Sequence, residues 1–274
     1  MSFSVNTNGG ALLALQNLSR TNASLETTQS RINTGLRVSS AKDDSSVYAI
    51  AQRMRATLSG YNAVKNSIDR GLSTLDVAIA AGEAISDLMI DLRGKAVAAA
   101  DEGLDQDSRD KLWADAFQIG LQVDSISKSA EFSGNNLVLL DSNSTSVITS
   151  PDGSTTVELT AHDLTMDYFQ FGLSTANFNN ASNAASVVGL ADNAIDEINT
   201  ALTDFGATHK RLSLQHEFIT SVSDAIEVGI GNLVDADLAK ESATLQSLQV
   251  KQQLGLQALS IANQAPSSAL SLFR

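Results

Sequence analysis

Cysteine is absent from the 274 residues, which excludes disulfides, thiolate metal ligands and cysteine nucleophiles. Proline occurs only at Pro151 and Pro266, so very long stretches carry no helix breaker and long helices should dominate. Positive charge is scarce: 18 Lys and Arg stand against 31 Asp and Glu, for a net charge of −13 and a pI of about 4.5. That balance argues against nucleic acid, anionic membranes and heparin as partners. No run of about 18 apolar residues occurs, so no membrane insertion is expected. The start of the chain lacks a basic segment, its first cation being Arg20, and it has no sustained apolar run, so no cleaved secretory signal is expected. Any exit from the cell would use another route. What remains is 43% hydrophobic, enough for a sizeable core in one or two domains and too much for wholesale disorder.

The two ends are alike. Residues 238–274 hold Leu238, Leu245, Leu248, Val250, Leu254, Leu256, Leu259, Ile261, Leu270, Leu272 and Phe273, with only Lys240, Glu241, Lys251 and Arg274 charged. Residues 1–30 set Leu12, Leu13, Leu15, Leu18 and Leu25 among Asn, Ser, Thr and Gln, with only Arg20 and Glu26 charged. A helix that is apolar or uncharged nearly all round requires other helices on most sides. Termini are normally the least ordered part of a domain, so two such termini point to partners in other chains. Burying one face does not offset the entropy of ordering these segments. Residues 1 to about 35 and about 238 to 274 are therefore expected to be disordered in a free monomer and helical in a polymer.

Between the ends, helical periodicity is almost continuous. Ala11, Leu18, Leu25 and Ile32 repeat every seven residues, with Leu15, Asn22, Gln29 and Leu36 as a companion row, the pattern of a coiled-coil seam with polar register-setters. Gly35 suits the end of that helix. A polar segment follows, with Asp43 and Asp44 placed to cap the next helix. That helix runs from about Val47 to Ala100, with Met54, Tyr61, Ile68, Leu75 and Met89 in register. A length of about 50 residues signals an elongated bundle or fibre, since ordinary helices average about 11 to 12. A third helix spans about Asp107 to Lys128. Val147-Ile148-Thr149 and Thr155–Leu159 flank Ser150-Pro151-Asp152-Gly153, a hairpin signal. From about Ala184, Ile198, Phe205, Leu212, Ile219, Ile226 and Leu233 repeat every seven residues, beside Ile195, Leu202, His209, His216, Ser223 and Ile230. The predicted fold is mainly α: an elongated antiparallel helical bundle or coiled coil with a small β-hairpin region at its distal end.

Two motifs carry a resemblance. Ser30-Arg31-Ile32-Asn33-Thr34-Gly35-Leu36-Arg37-Val38-Ser39-Ser40-Ala41-Lys42-Asp43-Asp44 resembles the N-terminal signature of bacterial flagellins. Val234-Asp235-Ala236-Asp237-Leu238-Ala239-Lys240-Glu241 and the tail from Ala262 to Arg274 resemble their C-terminal half. The match covers roughly residues 1–137 and 184–274. It implies a filament subunit used in motility, exported unfolded, self-assembling through its terminal helices, and located outside the cell in the flagellum. The implied partners are copies of itself, the flagellar export apparatus, an export chaperone, the filament cap and the hook-junction proteins; no cofactor is implied. The implied organisation is an assembly domain from residues 1–40 and 235–274, a helical rod from 41–134 and 184–234, and a variable surface region at 135–183. The self-assembly residues are then Leu15, Leu18, Leu25, Ile32, Leu36, Leu245, Leu248, Leu254, Leu259, Ile261, Leu272 and Phe273. The charges and turns of the motifs are Arg31, Gly35, Arg37, Lys42, Asp43, Asp44, Asp235 and Asp237. One departure is Leu92-Arg93-Gly94-Lys95-Ala96-Val97, which has Gly94 and Lys95 where the segment read by an innate immune receptor has an acid and a leucine. Strong receptor activation is not expected.

Enzymatic readings are weaker. His209 and His216 could approach a metal, but without a third ligand in register they read as polar seam residues. Asp43 with Asp44, and Asp235 with Asp237, read as helix caps or intersubunit charges rather than acid/base pairs. No His-Glu-x-x-His, phosphate loop or nucleophile elbow occurs in the sequence. The Ser/Thr-rich stretch between Ser142 and Thr160 reads as a solvated hairpin, with hydroxyl glycosylation as the sharper alternative. A structural, non-enzymatic filament protein is the expectation, and the alternative within the same export system is a hook-filament junction protein.

Overall fold

The computed structural model describes residues 7–139, 145–167 and 178–271. In chain order these form α1 (Gly9–Thr34), α2 (Ser45–Ala99), α3 (Gln106–Ser129), β1 (Thr145–Ile148), β2 (Thr156–Leu159), α4 (Ala181–Val234) and α5 (Leu238–Ser271). The mainly helical class and the hairpin are as the periodicity predicts. The chain divides into two compact units, Met1–Ala56 with Ala225–Arg274, and Thr57–Asp224. Both boundaries fall inside a long helix, because an uninterrupted heptad pattern contains no linker sequence to mark them.

In the unit formed by residues 57–224, α2 and α4 run antiparallel. Arg93 Nε bonds Asp192 Oδ1 at one level, and Leu202 lies against Gly82 at another. Ile68, Leu75, Ile85 and Met89 of α2 and Ile198, Phe205, Leu212 and Ile219 of α4 are all buried. Each such side chain contributes about 1.5–3 kcal/mol on leaving water. The α4 row predicted at seven-residue spacing is therefore the core row throughout this unit. His209 and His216 sit on its half-exposed shoulder, with Nε2 3.1 Å from Asp76 Oδ1 and 3.3 Å from Asp69 Oδ1 respectively. They are polar rungs between paired helices.

The turn between α2 and α3 is closed by Arg109. The residue is 8% exposed, and its guanidinium donates to the carbonyl of Ala99 at 2.9 Å, which the end of α2 would otherwise leave unsatisfied, and to that of Asp101 at 2.5 Å, which also accepts from the Leu104 amide. Asp105 caps α3 by accepting from the Ser108 amide at 2.9 Å. Trp113 of α3 meets Phe178 edge-on with ring centroids 5.2 Å apart.

The hairpin pairs Val147 with Val157 and Thr145 with Leu159 in antiparallel register, burying Val147, Val157 and Leu159. Its position differs from the expectation of a distal tip. Val147 touches the backbone at Gly71, Pro151 touches it at Gly60, and Ser67 Oγ accepts from the Ile148 amide at 3.2 Å. The hairpin thus lies along the middle of α2. The reason is steric: glycines at 60 and 71 open two notches on one helix face, into which the turn and the first strand settle.

In the other unit, α1 and α5 run antiparallel. The contacts descend from Asn8–Ala262 through Asn22–Gln252 to Arg31–Glu241. At one point the close approach places Leu18 Cδ1 3.3 Å from where a Cβ on Gly255 would lie. Met54 of α2 and Gly229 of α4 are in contact within this unit as well.

Candidate assembly surface

Helix α1 begins and ends where local chemistry dictates. Asn8 Oδ1 accepts from the Ala11 amide at 3.1 Å, and Gly35 takes the left-handed conformation at φ 71°, which glycine adopts without a Cβ penalty. On α1 the residues turned from solvent are Ala11, Ala14, Leu18, Thr21, Leu25, Thr28 and Ile32. On α5 they are Glu241, Leu245, Leu248, Gln252, Gly255, Leu259 and Ala262. Both rows alternate three- and four-residue steps, which is heptad packing.

The row Ala11, Leu18, Leu25, Ile32 is thus in the seam as predicted, but its companion is Ala14, Thr21 and Thr28, not Leu15, Asn22 and Gln29. Small residues at the companion positions let two thin helices approach, and the leucines are displaced outward. Asn22 still contributes from the edge, its Oδ1 accepting from Gln252 Nε2 at 2.9 Å. Leu12, Leu13 and Leu15 of α1 are all more than half exposed, as are Val250, Leu254, Leu256 and Ile261 of α5, with Ile261 reaching 69%. Of the predicted self-assembly residues, Leu18, Leu25, Ile32, Leu245, Leu248 and Leu259 line the seam, while Leu15, Leu254 and Ile261 face outward. Leu36 is half-buried in the junction described next, and Leu272 and Phe273 lie outside the described residues. Leu12, Leu13, Val250 and Leu256 stand among the apolar residues of the charge-poor ends but outside the expected self-assembly set, because they lie beside, rather than on, the heptad rows.

A short antiparallel junction ties the inner ends of the pair. The Val234 carbonyl accepts from the amides of Arg37 at 2.6 Å and Val38 at 3.2 Å, and the Gly35 carbonyl accepts from the Ala236 amide at 2.9 Å. Leu36 and Asp235 form the bridge. Arg37 Nη2 donates to the Leu233 carbonyl at 2.5 Å, and Val38 and Val234 are buried beneath. Arg31 Nη1 meets Glu241 Oε1 at 3.1 Å across the helices.

Asp44 and Asp237 cap helices, whereas Asp43 does not cap α2 as expected but folds back to close the loop before it. Asp43 Oδ2 accepts from the amides of Ser39 and Ser40, at 3.0 and 2.9 Å, and from both hydroxyls, at 3.0 and 3.2 Å. The Ser40 amide, followed by the Ser39 hydroxyl, holds this carboxyl below its ordinary value. Asp44 Oδ1 accepts from the amides of Ser46 and Val47, both at 3.0 Å, at the start of α2. Asp237 Oδ1 does the same for α5 through Ala239 and Lys240 at 3.0 and 3.1 Å. Lys42 is exposed at the loop surface. With carboxylates engaged by backbone amides and an open leucine-rich surface, this arrangement is suited to packing against other helices. Among the described residues no group of three His, Cys, Asp or Glu is placed to hold a metal ion, and no helix is long and apolar enough to cross a membrane.

Residues 5–145 match the family model of the bacterial flagellin N-terminal helical region, and residues 188–273 match that of the C-terminal helical region. The chain belongs to the bacterial flagellins. Flagellin FljM of Caulobacter vibrioides is 45% identical over 272 residues, covering 99% of this chain and 98% of that protein. A flagellin of Brucella melitensis is 35% identical, with 99% of each chain covered. The crystal structure of Bacillus cereus flagellin shares the fold at a TM-score of 0.51 and 22% identity, over 56% of this chain and 88% of that one. This flagellin is a structural subunit of the extracellular flagellar filament, a polymer that serves motility, and its family consists of structural proteins rather than enzymes.

Proposed function

We propose that the α1–α5 pair is the part of this flagellin that drives filament assembly, its outward leucines packing against the same helices of neighbouring copies. The observation that carries this reading is the exposure of Leu12, Leu13, Leu15, Leu254, Leu256 and Ile261 on a two-helix unit with few charges. Such a surface is unstable facing water and is satisfied by further helices. The seam residues hold the pair together, the outward residues join copies, and the junction at Leu36 and Asp235 fixes where the pair starts. The assembly domain is thereby residues 1–40 with 235–274, the rod 41–134 with 184–234, and the surface region 135–183.

In the dilute free chain the terminal segments are unfolded, because a two-helix pair with half its leucines in water does not offset its ordering entropy. An unfolded, charge-poor end suits export through a narrow channel, without a cleaved signal, by the flagellar export apparatus. An export chaperone would cover the apolar residues before secretion, and the filament cap and hook-junction proteins would receive the subunit. The test is seeded elongation followed by electron microscopy. Full-length chains should extend filament seeds, and chains lacking residues 254–274 should remain folded in the 57–224 unit yet fail to extend them. Normal elongation by the truncated chain would overturn the reading.

A further inference from the structure

Asn8 precedes Gly9, and nowhere else in the sequence does an asparagine stand before a glycine. At such a step the missing side chain leaves the following amide nitrogen open to approach, and the chain flexible enough to reach the asparagine side-chain carbonyl. In the structure that side chain is committed at both ends. Oδ1 accepts from the Ala11 amide at 3.1 Å, and Nδ2 donates to the Ala262 carbonyl of α5 at 2.7 Å. Asn8 is thus both the cap of α1 and a tie between the two terminal helices.

We propose that Asn8 is a site of spontaneous deamidation whose rate reports, and whose product impairs, the pairing of α1 with α5. The Gly9 nitrogen attacks Asn8 Cγ, forming a new C–N bond. The Cγ–Nδ2 bond breaks, the side-chain nitrogen leaves as ammonia, and the backbone closes into a succinimide. Water then opens the ring at either carbonyl to give aspartate or isoaspartate, with no change of oxidation state. Pairing slows the first step by holding Cγ in the cap geometry and Nδ2 on the Ala262 carbonyl. Unpaired termini lack both restraints. Either product replaces the Nδ2 donor with a carboxylate facing a carbonyl oxygen, so the tie to α5 is lost. Isoaspartate also lengthens the backbone at the cap, displacing the acceptor from the Ala11 amide. Subunits that wait unassembled are therefore chemically marked at the residue that closes the helix pair, while assembled ones are spared.

The inference rests on the reading that α1 and α5 pair in the filament, and the experiment separates the two. The full chain is incubated at mildly alkaline pH as dilute monomer and as pelleted filaments, and the tryptic peptide ending at Arg20 is followed by fragment-resolved mass spectrometry. In monomer, Asn8 should convert roughly tenfold faster than Asn17, which precedes leucine, and Gly9→Ala should remove that advantage by obstructing the attack. The substitution is otherwise benign, since a Cβ at Gly9 meets nothing within 4 Å. In filaments, conversion at Asn8 should fall roughly tenfold because the cap holds the side chain. Monomers aged to full conversion should elongate seeds more slowly than fresh ones, and aged Gly9→Ala monomers should not. Amide exchange over α1 in the same samples shows whether the helix forms. If α1 is protected in filaments while Asn8 converts at the monomer rate, the inference falls and the assembly reading stands. If α1 is unprotected in filaments, both fall. Equal rates at Asn8 and Asn17 in monomer also overturn the inference.

Discussion

Val147 of β1 sits so close to Gly71 of α2 that a Cβ added at Gly71 would lie 2.5 Å from Val147 Cγ2. The hairpin is seated on the long helix because position 71 has no side chain. A glycine in a helix interior costs up to about 1 kcal/mol relative to alanine, so its presence there is explained by the contact rather than by the helix.

Gly71→Ala should therefore destabilise the full chain, because overpacking of about 1–3 kcal/mol exceeds the gain in helix propensity. Gly94→Ala, where a Cβ meets nothing within 4 Å, should instead stabilise it by up to about 1 kcal/mol. Urea unfolding followed by circular dichroism distinguishes the two signs, and a stabilised Gly71→Ala variant would contradict the docked hairpin.

The turn of that hairpin should respond to acid. The Ser150 hydroxyl, followed by the Ser154 amide and hydroxyl, holds the exposed Asp152 carboxyl at about 2, below its ordinary 3.8. A depressed value means that ionised Asp152 favours the folded turn above the unfolded-state value, and that this contribution is lost as pH falls from 3.8 towards about 2. Amide resonances of Val147 and Val157 should hold steady from roughly pH 7 to roughly pH 5 and shift only below that range. Asp152→Asn should flatten this acid response, and an unchanged response would count against the turn geometry.

Arg109 offers a test of the α2–α3 connection. Replacing it with methionine keeps much of the apolar stem but removes the donor to the buried Ala99 carbonyl, while the Asp101 carbonyl keeps the Leu104 amide. The expected loss is about 1–3 kcal/mol, the cost of an unsatisfied buried acceptor. Thermal unfolding should show a lower midpoint, whereas an unaltered midpoint would mean that water replaces the guanidinium at no cost.

Leu254→Asn combined with Ile261→Asn should separate assembly from folding. Both side chains face outward on α5, so the unfolding of residues 57–224 should change by no more than about 0.5 kcal/mol. The seeded elongation rate should drop sharply. A variant that elongates like the unmodified chain would show that this face is not in the filament interface.

The sequence by itself determined the helices, their ends and the family. Heptad spacing from Ala11 to Ile32 and from Ile198 to Leu233 is written in local order, as are the glycine at the end of α1, the aspartates before α2 and α5 and the turn at Pro151–Gly153, because each depends on neighbours a few residues away. The tertiary structure decided which faces meet. Whether Leu15 or Ala14 joins the seam depends on the contour of α5, where Gly255 leaves room for Leu18. The hairpin's place on α2 depends on Gly60 and Gly71, far from Pro151 and Val147 in an order that no local periodicity records. Local rules see spacing along one chain. Close approach is a property of two surfaces, so the division of the terminal leucines into seam and outward faces became visible only when α1 and α5 lay side by side.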